Sequence, residues 1–365
     1  MHRRIFLQAS AALPLAAALP WRAVAQQSDF NPQPGAWRTF EVTTRAEVLK
    51  PAGITRVWIP VPAVNDAGQK VIDNAWSGNA GAAQLAYDGK YGAAILCAEW
   101  PAADAQPVIE LTSRFATRNR AVEFAKPGGA PKLDATERAF YTQATELMPT
   151  DGIVRETALK ITEGAHTDEA QARRVYDWVV ENTFRDPKTR GCGVGDIATM
   201  LETGDLGGKC ADLNALYVGL ARSIGLPARD LYGIRVAKSA FGYRSLGAGT
   251  ENITRAQHCR AEVFLQAYGW VPVDPADVRK VVLEEREKPT TLADPIVPPV
   301  RQKLFGAWEM NWFAYNTGHD IALPNSQGAK LAYFMYPQAE TANGRLDSLD
   351  PDNFRYRITA REITA

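Results

Sequence analysis

Gly207-Gly208-Lys209-Cys210-Ala211-Asp212-Leu213 stands at the head of a helical pattern, and Gly225-Leu226-Pro227 ends it. Between these signals Leu213, Leu216, Tyr217, Leu220 and Ile224 recur at helical spacing and line one face. The leading glycines let another backbone approach closely, and Gly225 ahead of Pro227 is a stop signal. Residues 229–236, 260–265 and 269–273 follow as strand-like runs. Upstream, Asp134-Ala135-Thr136-Glu137 reads as a capping box ahead of Phe140, Ala144 and Leu147. Thr167 caps a helix carrying Ala172, Val175, Tyr176, Val179 and Val180, with Trp178 off the main stripe as a packing residue. Helices followed by strands predict an α+β core over 132–290.

Outward from this core the pattern changes. Residues 40–48, 55–62 and 108–115 alternate or are β-branched, which predicts an antiparallel β domain over 29–125, a small sandwich without chemistry of its own. Lys126-Pro127-Gly128-Gly129-Ala130-Pro131 reads as a linker. The stretch 189–208 holds six glycines and reads as a loop framing a cleft. It lacks the Gly-Lys-Ser/Thr ending of a phosphate-binding loop. Residues 291–365 form a C-terminal extension packing on the core, with short strands near 330–335 and 354–358. Its Trp308, Trp312, Phe313 and Tyr315 read as packing between domains or as an aromatic rim for a peptide.

The first 25 residues read as an address. Arg3-Arg4-Ile5-Phe6-Leu7 precedes an apolar run from Ala9 to Pro20 and the cleavage-site pattern Ala23-Val24-Ala25. The paired arginines resemble a twin-arginine export signal, the competing reading being an ordinary secretory signal; either puts the mature chain in the periplasm or outside the cell. No later apolar run reaches the ~18 residues of a membrane span. With 41 basic and 41 acidic residues in 365, the chain lacks the basic excess of a nucleic-acid binder. Four cysteines are too few for a disulfide scaffold, and without a C-x-x-C pair they do not suggest zinc. No cofactor or metal is expected.

Three segments each offer one reactive group. Cys210 opens the strong helix, where partial positive charge and free N–H groups stabilise a thiolate and Lys209 adds a cation. The backbone N–H of Cys210 is a candidate oxyanion donor. Asp212 in the first turn pairs with the helix dipole and opposes the thiolate. His258 begins one strand and Asp274 ends the next, so an imidazole base and its orienting carboxylate can meet. The competing readings are a buried structural thiol, a core histidine and an Asp-Pro turn residue. His2, His166 and His319 have no comparable partner motif. Strand alternation turns Cys259 away from any thiol that His258 faces, and a Cys192–Cys259 bridge is compatible with export. Cys97 lies in an apolar strand.

Gly-Gly-Lys-Cys-Ala-Asp-Leu opening a helix that ends Gly-Leu-Pro-Ala-Arg, then His258 on one strand and Gly-Trp-Val-Pro-Val-Asp-Pro on the next, resembles the transglutaminase-like superfamily. The resemblance covers residues 134–279. It implies a papain-like fold, a Cys210-His258-Asp274 triad and a peptide or protein substrate. Its members include peptidases, amidases, protein cross-linking transamidases and inactive binding modules. The oxyanion side chain that some members carry has only Trp178 as a candidate here.

Overall fold

The computed structural model describes residues 29–101 and 106–363, so the stretch read as an export signal lies outside the described residues. The first six strands are β1 (Arg38–Val48), β2 (Thr55–Val61), β3 (Gln69–Gly78), β4 (Ala82–Tyr87), β5 (Ala94–Trp100) and β6 (Val108–Thr117). A short β7 (Arg120–Ala121) leads into α1 (Ala135–Thr142), α2 (Gly152–Thr162) and α3 (Asp168–Asn182). The capping box of α1 is present in both directions, and Thr167 accepts from Ala170 N at the head of α3.

The glycine-rich stretch is not all loop. After β8 (Phe184–Arg185) it winds into α4 (Ile197–Thr203), because Asp196 caps the Thr199 N–H, Ile197 and Met200 are buried, and Gly204 takes the left-handed exit. β9 (Gly207–Gly208) pairs with β8 and delivers the chain to α5 (Cys210–Ser223). All fourteen residues of α5 are buried, not one face alone. The sheet lies against one side of it, and α2, α3, α4 and α6 (Pro275–Glu284) surround the rest. Burying the Leu213, Leu216 and Leu220 side chains contributes about 1.5–3 kcal/mol each.

That sheet contains β10 (Ala228–Arg235), β11 (Gln257–Leu265) and β12 (Gly269–Val273), all antiparallel. Its far edge comes from the tail. After α7 (Val297–Lys303) and a short β13 (Ala307–Trp308), β14 (Trp312–Asn316) pairs with β10. Gly233 on β10 is required there, because a Cβ would lie 1.9 Å from Phe313 O and 2.6 Å from the Trp312 ring.

The rest of the tail departs from the expected extension on the core. β15 (His319–Ile321) and β16 (Leu331–Tyr333) pair with each other. β17 (Gln338–Thr341) and β18 (Gly344–Leu346) extend the sheet of β2, β5 and β4, and β19 (Phe354–Ile363) extends that of β1, β6 and β3. Chain ends more than 300 residues apart are thus neighbours, with Thr43 opposite Thr359. The two sheets bury Val57, Ile59, Leu96, Ile109, Leu111, Ala339 and Phe354 between them. Phe40, Val42, Phe115 and Ile358 join a second cluster with Tyr232, Ile234 and Cys210, so the sandwich backs directly onto the core. The strand pattern of 354–358 signalled a strand but not its partner, because pairing across the whole chain leaves no local trace.

Deleting β19 removes one neighbour of β1 and the buried Phe354 and Ile358 side chains. A chain ending at Asp352 is expected to lose several kcal/mol of stability and to aggregate through the bared edge of β1. Urea unfolding followed by tryptophan fluorescence measures this, and an unchanged midpoint contradicts it.

Candidate active site

Cys210 is the first residue of α5 and lies on the floor of a cleft of about 690 Å³. Its side chain is nearly buried, at 3% exposure. Among the described residues nothing accepts from its backbone N–H, the orphan of a helix start. Asp212, two residues on, takes the Val194 and Gly195 N–H groups on Oδ1 at 2.8 and 2.9 Å and the Lys209 N–H on Oδ2 at 2.9 Å. It ties the 191–195 loop to the head of α5, beyond the helix-dipole role expected of it. Gly193 has no alternative there: its φ is +97°, and a Cβ would fall 1.8 Å from Asp212 Oδ2.

His258 lies opposite Gly233 on β10, at 3% exposure. Its Nε2 is 2.8 Å from Asp274 Oδ2. Its side chain lines the same cleft as Cys210, whose thiol it influences electrostatically. Since Nε2 is engaged by Asp274, the ring nitrogen left for sulfur is Nδ1. Asp274 is not level with His258 across the ladder. Val273 pairs with Ala261, so Asp274 stands next to Arg260 and reaches back diagonally to the imidazole. Asp274 also fulfils the competing reading, because its Oδ1 caps α6 by accepting from Asp277 N at 3.0 Å. The structure therefore brings Cys210, His258 and Asp274 together.

Five residues that sequence reasoning missed hold this arrangement. Asp277 Oδ1 lies 3.4 Å from His258 Nε2 and 2.5 Å from Arg235 Nη2. Arg260 Nε lies 3.4 Å from Asp274 Oδ2, its guanidinium stacked over Trp312 at 4.7 Å. Trp312 donates from Nε1 to the His258 carbonyl at 2.9 Å. Asn214, one turn beyond Cys210, donates to Cys259 O at 2.8 Å and lies 3.5 Å from Asp274 Oδ1. The Asp-Pro-Ala-Asp spacing put Asp277 one turn after Asp274, but its partners come from β10 and β11. Trp178, by contrast, packs against the main core and does not line the cleft.

Cys259 follows His258 on β11. It is buried in one cluster with Cys192 and Cys210. The Asn214 bond to the Cys259 carbonyl shows that α5 crosses β11 at this residue. All four cysteines are free, and Cys97 is half-buried on β5.

The electrostatics favour an ion pair. Hydrogen bonds from the Cys192 and Cys259 thiols, with those of His258, hold the Cys210 thiol well below its usual range against the effect of burial. Burial opposes charge on His258, yet Asp277 and Asp274 outweigh it and hold the imidazole up to about 9. Burial would raise Asp277 too, but Arg235 and His258 keep it well below the usual carboxylate range. His258, Asp274 and Asp277 place three ligand-type atoms within 4.8 Å of one another. Arg235 and Arg260 already supply the cations that these carboxylates need, so the donor set does not fit an added metal ion.

Residues 155–275 match the family model of the transglutaminase-like superfamily. An uncharacterized protein of Haemophilus influenzae is 37% identical over 348 residues, covering 89% of this chain and 91% of that protein. In fold, the chain is similar to a candidate cysteine protease from Cytophaga hutchinsonii, with a TM-score of 0.50, 14% identity, and coverage of 90% of this chain and 99% of that one. The periplasmic domain of TgpA from Pseudomonas aeruginosa aligns at a TM-score of 0.33 and 12% identity, over 72% of this chain and 93% of that one. With Cys, His and Asp in that order on a helix start and two adjacent strands, and a relative this similar along nearly its whole length, the chain belongs to the transglutaminase-like superfamily.

Proposed function

We propose that this protein is an exported cysteine-dependent amide hydrolase, a peptidase or amidase, working through a thioester on Cys210. The observation that supports this reading is geometric: Cys210 at a helix start and His258, oriented by Asp274, line one cleft. Export is supported by the signal read in residues 1–25. No helix among the described residues is long and apolar enough to cross a membrane.

The thiolate attacks the substrate carbonyl carbon, and the oxygen becomes an oxyanion held by the free Cys210 N–H. Protonated His258 gives its proton to the departing amine nitrogen as the C–N bond breaks, leaving a thioester. Water then attacks the thioester while His258 takes its proton. The acid departs, and the thiolate and imidazolium are restored. Asp274 fixes the ring orientation through Nε2 throughout, and Asn214 and Trp312 fix Asp274 and the His258 backbone.

Turnover of a quenched-fluorescent peptide library tests the reading. Cys210→Ala and His258→Ala are expected to abolish cleavage, and Asp274→Asn to lower kcat by about 10²–10⁴. Unimpaired cleavage by Cys210→Ala rejects the assignment. Release of ammonia with incorporation of a labelled amine into a glutamine peptide would instead identify a transamidase, and a Cys210 inert to iodoacetamide at neutral pH a binding module.

The pH dependence follows from the two shifts. The Cys210 thiol is lowered, so its thiolate persists to pH values well below that of a free thiol; His258 is raised, so its proton is lost only as pH passes about 9. Alkylation of Cys210 by iodoacetamide is therefore expected to stay fast through neutral pH and to slow only in acid. Turnover should decline above about pH 9. A free-thiol profile rising through pH 8–9 contradicts the ion pair. Asp277→Asn removes one carboxylate that sustains the imidazolium, so the alkaline limb is expected to move to lower pH, read from kcat against pH.

A further inference from the structure

The walls of the cleft carry Arg185, Arg190, Lys209, Arg235, Arg255 and Lys280, and not one Asp or Glu. This is a segregation of charge, because the chain as a whole has 41 residues of each sign. The carboxylates of the region pair with these cations and do not themselves line the cleft. Glu284 pairs with Arg185 and lies 3.8 Å from Lys280; Asp347 pairs with Arg190; Asp277 holds Arg235 at 2.5 Å. Asp212, the acid closest in sequence to the nucleophile, spends both oxygens on backbone N–H groups. Among the described residues, Lys209 and Arg255 have no carboxylate within 4.0 Å. Lys209 immediately precedes Cys210, and exposed Arg255 stands three residues before His258.

We propose that this cleft is built for an acidic peptide, one that carries a carboxylate within a residue or two of the scissile amide, with Lys209 and Arg255 as its receptors. The proposal rests on the Cys210 reading and adds the charge of the substrate to it. The helix start under Cys210 contributes positive potential in the same place, so one anionic group is drawn toward the sulfur from several sides. The field already acts inside the cleft: burial and the Arg235 guanidinium push the Lys280 ammonium below its usual range. A bound carboxylate relieves that crowding, whereas a lysine-rich peptide adds to it. The wall thus selects by repulsion as well as attraction.

The test uses the full-length Cys210→Ala protein, which binds without turnover, and two fluorescent hexapeptide mixtures that differ only in Glu or Gln at one fixed position. The Glu mixture is expected to bind about five- to tenfold more tightly in dilute buffer, measured by fluorescence anisotropy. The preference should collapse in about 0.5 M NaCl, where the screening length falls to a few ångströms. It should also disappear in Cys210→Ala/Arg255→Glu, whose fold is checked by circular dichroism. Equal binding of the two mixtures, absence of binding, or a preference unaffected by Arg255→Glu overturns the proposal. Wild-type turnover of the same mixtures separates it from the amidase reading. A Glu preference without cleavage keeps the anion site and removes the hydrolase; cleavage without a Glu preference does the reverse.

Discussion

The site depends on a buried exchange of charge around one imidazole. Asp274 and Asp277 are both removed from water, which costs several kcal/mol for an isolated carboxylate. Arg235 and Arg260, equally buried, stand against them. His258 and Cys210 complete the group, and a proton passing between sulfur and nitrogen leaves its total charge unchanged. The thiolate is therefore reached by moving charge within the cluster, without importing any into the protein interior. The remaining local structure keeps these groups within reach: Gly233 lets Trp312 lie against β10, Trp312 pins the His258 carbonyl and carries the Arg260 guanidinium, and Asn214 joins α5 to Asp274.

The three candidate site residues were legible in the sequence because each sits at a boundary with a local signature. Cys210 follows paired glycines at a helix start, His258 opens a strand, and Asp274 precedes a proline at a strand end. Their supporting residues carry no such mark. Arg235, Arg260 and Trp312 look like ordinary members of strands, and only register shows that they converge.

The same distinction holds for the fold. Caps at Asp134 and Thr167, the stop at Gly225 and the helices-then-strands order were readable from short segments. The fully buried α5 was not, since its apparent polar face holds Asn214 and Arg222, whose partners lie elsewhere in the chain. Nor was the tail. Ser348, Leu349, Pro351, Phe354 and Tyr356 line the cleft, so the segment that completes the sandwich also shapes the opening above the sulfur.

That shared segment bears on how the molecule comes into being. β1 lies between β6 and β19, and β2 between β5 and β17, so both sheets hold one strand from the beginning of the chain beside one from its end. During synthesis the early strands emerge long before their second neighbours, with an edge of each sheet unsatisfied until the final residues are made. Such high contact order slows folding and leaves a nascent chain open to wrong pairing. It also makes closure of the cleft coincide with completion of the polypeptide, so an unfinished chain holds Cys210 without the tail residues, from Ser348 to Tyr356, that form one side of its opening.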